Sequence, residues 1–269
     1  MGILSYLDEI QSAKLDDVLN LQANLMFPGE LTYYKHLLEK STSIKFLDLG
    51  CGNGSYLKQI SEKYPQHQYT GLDENSSMVL MAKEKFRNSK NVKILEGSLF
   101  KVESILQSGI WDVVFHRATI IYCANRLQEY AKIIHNLLTP GGALIGIEAD
   151  DQFSIVMDNI PSLQKLMLGL SQTMGNGRII ARLIPKALEE NNLFVKSFNP
   201  VLINKYNSQN THEFHSLVFA WCNLVHNLNP DSLSVKDLQK IKEELIKSDK
   251  EKGLDFTLGL TCITAVRSN

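Results

Sequence analysis

Hydrophobic and polar positions alternate with two different periods along the middle of the chain. Between residues 44 and 150, short apolar runs are separated by longer segments in which apolar residues recur every three or four positions. The runs predict strands and the periodic segments predict helices. Strands are predicted at 44–49, 68–72, 92–95, 111–115 and 143–147, and helices at 55–64, 76–86 and 127–138. Strands and helices that alternate in this way predict a parallel sheet with helices on both faces.

The two ends of the chain have a more helical pattern. In the first forty residues the apolar positions have helical spacing, and Phe27-Pro28-Gly29 is predicted to interrupt the helix before it resumes at 31–38. After Asp150 the pattern predicts four helices, one turn and two strands. The helices are at 153–174, 179–190, 212–226 and 231–250, the turn is Gly175-Asn176-Gly177, and the strands are near 194–202 and at 256–266.

No linker-like stretch divides the chain into two independent domains. We therefore predict an N-terminal helical cap at residues 1–40. Residues 41–269 are predicted to form one domain with helical insertions at about 151–190 and 208–250.

The composition narrows the classes of function. The 269 residues have a formal net charge of -1 and no run of Lys or Arg, whereas a dedicated nucleic-acid binder usually has a basic excess or stripe. Cys51, Cys123, Cys222 and Cys262 lie far apart and form no C-x-x-C pair, so neither a disulfide framework nor a zinc site is indicated. Without a signal-peptide pattern or a long apolar run, we expect a cytoplasmic protein with no nucleic-acid or membrane partner. The sequence leaves open whether the protein forms a homodimer.

A glycine-rich turn follows the first predicted strand. Gly50, Gly52 and Gly54 let the backbone turn tightly and approach a ligand closely. Asp73, at the end of the next strand, is placed to accept hydrogen bonds from ribose hydroxyls. A dinucleotide-binding fold has the same arrangement, but its pattern is G-x-G-x-x-G, and here Ser55 stands where the third glycine belongs. For the glycines alone, a tight turn without a ligand is the alternative.

The segment around this turn, LDLGCGNG, resembles motif I of the class I methyltransferases that depend on S-adenosyl-L-methionine (SAM). Four further segments resemble later motifs of that family in the same order. They are GLDENSSM at 71–78, LEGSLF at 95–100, WDVVFHRATIIY at 111–122 and LLTPGGALIGIEAD at 137–150. The resemblance is weaker beyond, at 175–194 and 263–268.

This resemblance implies a fold, a cofactor and a reaction. The fold would be α/β and Rossmann-like, with a seven-stranded, mostly parallel sheet, helices on both faces and an antiparallel last strand. N-terminal helices and a helical cap after the fifth strand would be added to it, and both would cover the mouth of the pocket, as in similar small-molecule enzymes. The domain at 41–269 would bind SAM and release S-adenosyl-L-homocysteine (SAH) after transferring the methyl group.

The resemblance also implies a role for each matching position. Asp48 would lie near the amino group of SAM, and Asp73 would bind the ribose. The turn would line the methionine and ribose through Gly50, Cys51, Gly52, Asn53 and Gly54. The remaining contacts, to the adenine and the amino group, would come from Glu74, Met78, Gly97, Ser98, Leu99 and the backbone of His116. Many family members have Asp in place of Ser98. A serine hydroxyl accepts a hydrogen bond from the adenine amino group more weakly than a carboxylate does.

Methyl transfer from a sulfonium needs no acid, because the leaving thioether is neutral. Positioning of the acceptor can therefore supply much of the acceleration, and a base is needed only if the acceptor must lose a proton. At the carboxyl ends of strands four and five, the candidates that orient the acceptor are Arg117, Tyr122, Glu148 and Asp150, and His116 is the candidate base. The alternatives are a structural histidine, an ion pair of Arg117 with Glu148, and a packing role for Tyr122.

No metal is expected. His212 and His215 are three residues apart on one predicted helix, a spacing that can bind a metal. No acidic or cysteine ligand accompanies them, so a lid helix anchored by Trp221 is the preferred interpretation. Asp150-Asp151 is similar to the metal site of catechol-type O-methyltransferases, but that family also has an Asp where this sequence has His116.

The acceptor is specified less well than the methyl donor. The Asn/Asp-Pro-Pro-Tyr-like tetrapeptide of enzymes that methylate the amino groups of bases is replaced by His116-Arg117-Ala118-Thr119, and no Pro-Cys pair occurs. We therefore predict methyl transfer to an O, N or C atom of a small molecule, such as a secondary metabolite. A protein or peptide methyltransferase and a non-catalytic protein with a SAM-binding fold stay as alternatives.

Overall fold

The computed structural model of the chain describes residues 9–40, 42–156, 160–174, 179–206, 211–228, 233–250 and 256–268. Within these residues the strands are β1 (Lys45–Leu49), β2 (Gln68–Asp73), β3 (Val92–Glu96), β4 (Trp111–Arg117), β5 (Leu138–Ala149), β6 (Ile155–Val156), β7 (Leu193–Asn204) and β8 (Phe256–Arg267). The helices are α1 (Glu9–Leu31), α2 (Lys35–Leu38), α3 (Ser55–Lys63), α4 (Ser76–Lys85), α5 (Leu127–Leu137), α6 (Pro161–Met174), α7 (Ile180–Glu189), α8 (Thr211–Leu228) and α9 (Val235–Lys250). No helix of the described part of the chain is long and apolar enough to cross a membrane.

The strands form one sheet in the order β3-β2-β1-β4-β5-β8-β6, and β7 also pairs with β8. Neighbours among the first five strands are parallel, and β8 runs antiparallel to β5, β6 and β7. The chain moves outward from β1 to β3 and then returns to place β4 beside β1. Parallel sheets bind ligands at this kind of switch point, beyond the carboxyl ends of the strands.

Both faces of the sheet are covered by helices. Successive strand residues point to opposite faces: Phe115 packs on the face that carries α1, α3 and α8, and Val114 packs on the face that carries α5 and α7. Burial on both sides explains why these strands are nearly continuous apolar runs in the sequence. The predicted α/β fold with a mostly parallel sheet and an antiparallel last strand is confirmed, and β6 adds a two-residue strand to the seven expected.

The first helix is longer than the sequence predicted. α1 includes Pro28 and continues to Leu31, so the expected interruption at Pro28 is wrong, and the expected helix at 31–38 is reduced to α2. Proline removes one backbone hydrogen bond from a helix. Met26, Glu30 and Leu31 are nevertheless all buried, and the packing of this last turn on the sheet outweighs that local cost.

The segment after β5 also differs from its prediction. Residues 153–156, expected to be helical, form the end of a short 3₁₀ turn and then β6. The pairing of Ile155 with Thr257 of β8 holds this segment at the sheet. α6 begins only at Pro161, and proline suits the first position of a helix because its missing N–H has no partner there anyway. The predicted turn Gly175-Asn176-Gly177 lies outside the described residues.

Candidate active site at the glycine-rich turn

The turn between β1 and α3 depends on its three glycines. Gly50, Gly52 and Gly54 have φ angles of 76°, 54° and 75°, a region that other residues rarely adopt. A Cβ atom on Gly50 would lie 2.5 Å from Oγ1 of Thr119, and one on Gly54 would lie 2.9 Å from the ring of Phe86. The turn therefore has neither the backbone freedom nor the space for side chains at these positions.

The N–H groups of this turn are bonded within the protein. Gly50 and Cys51 donate to the carbonyl of Leu72 over 2.7 and 3.1 Å, and Gly54 donates to the carbonyl of Cys51 over 3.0 Å. Gly52 donates over 2.8 Å to the carboxylate of Asp73. Sites that bind phosphate instead leave such N–H groups to the ligand. These four donors are thus not available to a pyrophosphate.

Asp73 is held in place at the end of β2. Its Oδ2 accepts from Gly52 and its Oδ1 accepts from the N–H of Asn75, 2.9 Å away. Burial raises the pKa of Asp73, and the two backbone hydrogen bonds oppose that rise. The carboxylate therefore lies beside the glycine-rich turn in a fixed orientation, where the sequence placed the ribose-binding acid.

Asp48 is a second acid at this turn. It is buried in β1, opposite Phe115 of β4. Burial raises the pKa of Asp48 to about 8, the charge of Asp73 adds to the rise, and Arg117 opposes it. Asp48 is therefore largely protonated near neutral pH, and a cationic group beside it would favour its ionised form.

Arg117 forms an ion pair with α1. Its Nε and Nη2 both donate to the carboxylate of Glu30 over 2.9 Å, and its Nη1 donates to Gln22 over 3.2 Å. Its guanidinium carbon lies 5.2 Å from the ring centroid of Tyr56. Burial alone would lower the pKa of Arg117, but Glu30 outweighs it and the pKa is raised. The sequence had suggested Glu148 as the ion-pair partner, and the structure corrects this to Glu30.

His116 points to the opposite face of the sheet. Its ring is fully buried, with Nδ1 2.8 Å from Oε1 of Glu148 and Nε2 2.7 Å from the hydroxyl of Tyr130. Both ring nitrogens therefore have partners inside the protein. Because this leaves no nitrogen for an acceptor, we do not propose His116 as a base, although its backbone still lies at the carboxyl end of β4.

Glu148 is engaged with protein groups as well. Its Oε1 accepts from the backbone N–H groups of Thr119 and Ile120, each over 2.9 Å, and its side chain is fully buried. The carboxylate therefore binds the loop after β4. The sequence had suggested that it orients the acceptor, and we do not propose that role. The side chain of Tyr122 lies outside the described part of the structure, so its role stays a prediction.

Asp150 is similarly committed. Both of its carboxylate oxygens accept from Nε of Arg182, over 2.9 and 2.8 Å, and Thr261 donates to it over 3.2 Å. Its predicted contact with an acceptor is not supported by this geometry. His212 and His215 lie on α8, and among the described residues no group of three or more His, Cys, Asp or Glu is arranged to bind a metal ion.

The other predicted cofactor contacts lie near the same carboxyl ends of the strands. Cys51 is buried, and burial raises the pKa of its thiol. Glu74 follows β2, Met78 is buried in α4, and Gly97, Ser98 and Leu99 follow β3. The structure thus brings these positions to the end of the sheet where Gly50 and Asp73 lie.

α1 covers the glycine-rich turn. The side chain of Asn53 donates to Asp16 over 2.7 Å and to Asn20 over 3.2 Å, and Cδ1 of Leu19 lies 3.2 Å from the position of a Cβ on Gly52. Asn53 therefore holds α1 with its side chain. The sequence predicted an N-terminal cap over the pocket mouth but not the residues that make this contact, although polar Asp16 and Asn20 one helical turn apart were an available signal.

Comparisons with known proteins agree with this fold. The chain is 28% identical over 144 residues to a malonyl-[acyl-carrier protein] O-methyltransferase of Bacillus anthracis, an alignment that covers 54% of this chain and 52% of the relative. It is 27% identical over 108 residues to a trans-aconitate 2-methyltransferase of Deinococcus radiodurans, covering 40% of this chain and 39% of the relative. The chain thus spans about half the length, or less, of these curated relatives.

A solved structure of Haemonchus contortus phosphoethanolamine N-methyltransferase 2 in complex with SAM shares the fold with a TM-score of 0.61. It is 14% identical and covers 100% of this chain and 60% of that chain. The family model described as "Methyltransferase domain" matches residues 40–253. This match covers most of the chain and confirms the resemblance that began with motif I. The chain belongs to the methyltransferase-domain family, with the class I fold of enzymes that use SAM.

Proposed function

We propose that this protein transfers the methyl group of SAM to a small-molecule acceptor. One observation carries the proposal: Asp48 and Asp73 flank a glycine-rich turn in which four N–H groups, those of residues 50, 51, 52 and 54, are already bonded within the protein. SAM has a positive sulfonium and a positive ammonium group, whereas a dinucleotide has an anionic pyrophosphate. Two acids beside four N–H groups that are already bonded favour the cation over the anion.

The proposed contacts with SAM follow from this arrangement. Asp48 accepts from the ammonium group, and Asp73 accepts from the ribose hydroxyls. The glycine-rich turn lines the methionine and ribose, and the adenine lies against residues after β2 and β3. The proposed positions are Gly50, Cys51, Gly52, Asn53 and Gly54 in the turn, Glu74 and Met78 after β2, and Gly97, Ser98 and Leu99 after β3, with the backbone of His116.

We propose that the acceptor binds beneath α1, where Arg117 and Gln22 meet at the end of β4. The two curated relatives are named for malonyl-[acyl-carrier protein] and trans-aconitate, and both of these molecules contain carboxyl groups. A small carboxylic acid is therefore the first acceptor class to test. Glu30 already neutralises the guanidinium of Arg117, so recognition of the acid would need donors besides Arg117, and Tyr122 stays a candidate.

Isothermal calorimetry with SAH and, separately, with NAD⁺ tests the cofactor. We expect SAH to bind and NAD⁺ not to bind, and Asp73→Ala to weaken SAH binding at least tenfold, because a ribose contact and the bond to Gly52 are lost together. Absence of SAH binding to the folded protein would overturn the proposal.

Transfer of a labelled methyl group from SAM to a panel of acids, amines and diphosphates then tests the acceptor. Methylation of one or more carboxylic acids is the expected result. If only amines or diphosphates were methylated, the proposed acceptor class would be wrong while the proposed reaction stood. If SAH bound and no acceptor reacted, a non-catalytic role would replace the enzyme.

A further inference from the structure

A chain of buried polar groups crosses from α5 to the loop after β4. The hydroxyl of Tyr130 contacts Nε2 of His116 over 2.7 Å, and Nδ1 of His116 contacts Oε1 of Glu148 over 2.8 Å. The same oxygen accepts from the N–H groups of Thr119 and Ile120. Side chains from β4, β5 and α5 thus converge on two consecutive backbone donors of one loop.

The two oxygens of Glu148 are used unequally. Oε1 has three partners, whereas Oε2 is buried and has no hydrogen-bond partner among the residues that the structure describes. A buried polar atom without a partner costs free energy. A structural role in the core alone would be served by an apolar side chain at lower cost, so the bonds made by Oε1 point to a requirement on the conformation of the loop.

That loop begins with a strained residue. Ala118 has a φ angle of 51°, in the left-handed region, which is strained for a residue with a Cβ. Such a conformation persists only where the surroundings impose it. The N–H of Ala118 donates to Ile147 over 2.8 Å, and Glu148 binds the next two N–H groups. Glu148 therefore holds the chain in the conformation that Ala118 resists.

The strained loop in turn rests on the glycine-rich turn. Oγ1 of Thr119 donates to the carbonyl of Leu49 over 3.2 Å. The same hydroxyl occupies the space beside Gly50, 2.5 Å from the position of an added Cβ. A change in the conformation of the loop would therefore displace the glycine-rich turn.

We propose that Glu148 is a positioning residue, which fixes residues 118–120 against Gly50 and so keeps the glycine-rich turn in its SAM-binding shape. The inference rests on the proposed function, because the ligand of this turn is SAM. Glu148 acts through backbone N–H groups and contacts neither SAM nor the acceptor. It is thus distinct from the residues that would touch the ligand.

The test compares Glu148→Leu with Glu148→Gln by calorimetry with SAH, and measures thermal unfolding in parallel. Leucine fills the space without an acceptor, so we expect SAH binding at least tenfold weaker in a protein that is still folded. Glutamine keeps a carbonyl oxygen for Thr119 and Ile120, so we expect rescue to within about threefold of the wild-type affinity.

A buried histidine at the other end of the strands supplies the control. Nε2 of His67 lies 2.8 Å from the carbonyl of Leu38, at the amino end of β2. His67→Leu should lower the unfolding temperature while leaving SAH affinity within about twofold of wild type. Wild-type affinity in folded Glu148→Leu, or equal losses in both leucine variants, would overturn the positioning role.

Ala118 provides a second test that leaves the core intact, because its side chain is exposed. Valine strongly disfavours a φ angle of 51° and glycine accepts it. We expect Ala118→Val to weaken SAH binding at least fivefold and Ala118→Gly to retain it. Should Glu148→Leu fail to fold, equal SAH affinity in the two Ala118 variants would refute the proposal. Failure of the wild-type protein to bind SAH would instead refute the proposed function.

Discussion

Arg117 and Glu30 are separated by 87 positions in the sequence and meet in a buried, bidentate ion pair. The carboxylate of Glu30 is fully buried and the side chain of Arg117 is 11% exposed. This pair joins the end of β4 to the last turn of α1, so the helix that covers the glycine-rich turn is tied to the strand beside it. Its removal has consequences for both stability and the site.

Glu30→Gln should destabilise the fold by about 3 kcal/mol, because it leaves the guanidinium of Arg117 buried without a counter-charge. The free energy of unfolding in urea measures this loss. The double variant Glu30→Leu with Arg117→Met removes both charges and should recover most of it. A loss below about 0.5 kcal/mol for Glu30→Gln would show that the pair contributes no more than an exposed one.

SAH binding should release a proton near pH 7. The pKa of Asp48 is raised to about 8 in the unliganded fold, so the carboxyl is mostly protonated, and the ammonium group of the ligand favours the ionised form. Calorimetry in two buffers of different ionisation enthalpy should give a release of roughly 0.5–0.9 proton per SAH. Asp48→Asn should abolish the release, and an unchanged release in that variant would assign the proton to another group.

The same group makes the stability of the unliganded protein depend on pH. Its folded-state pKa, about 8, is above the ordinary value of 3.8, so its contribution is fully present below pH 3.8 and is lost as the pH rises through 8. The wild-type protein should therefore lose stability relative to Asp48→Asn between pH 4 and 8, by up to about 6 kcal/mol. Parallel stability curves for the two proteins would contradict the raised pKa.

Gly50→Ala should damage the site more than a comparable glycine substitution elsewhere. A Cβ on Gly50 would meet Thr119 at 2.5 Å, whereas Gly109, with φ of 69°, has nothing within 4 Å of its added Cβ. Gly109→Ala therefore measures the backbone cost alone, about 1 kcal/mol. We expect Gly50→Ala to cost at least 1 kcal/mol more and to weaken SAH binding at least tenfold. Equal losses in the two variants would mean that the contact with Thr119 yields easily.

His116→Gln should lower stability by about 1–3 kcal/mol, because one or both contacts of the ring, with Glu148 and Tyr130, are lost in the core. Once an acceptor is known, the pH dependence of its turnover should keep its shape in this variant. Loss of a limb of the pH profile, with stability corrected for, would restore His116 as a base.

The sequence predicted the elements of the central sheet and the glycine-rich turn because both have local signals. A run such as Trp111–Phe115 reports its own burial, and the spacing from Gly50 to Asp73 follows from one strand-helix-strand unit. The pairing of Arg117 with Glu30 has no local signal. Nothing in one sequence distinguishes Glu30 from Glu148 as the partner, because the choice depends on how α1 packs after the sheet has formed.

Pro28 shows the same limit for secondary structure. A proline is a strong local sign that a helix ends, yet α1 continues because the residues around Pro28 are buried by contacts far along the chain. The two-residue strand β6 was missed for the related reason that Thr257, the partner of Ile155, is about one hundred positions away. Local sequence patterns indicate which secondary structure a segment favours, and contacts with distant residues decide whether it forms.

The cover that α1 forms over the glycine-rich turn has a consequence during synthesis. α1 leaves the ribosome before β4, and Arg117 follows Glu30 by 87 positions, a delay of roughly 4–17 s at typical translation rates. Through that interval the side chains of α1 that become buried, such as Met26 and Leu31, and the carboxylate of Glu30 have no sheet to pack against. Until β4 has been synthesised, α1 is therefore an exposed apolar segment of the kind that chaperones shield.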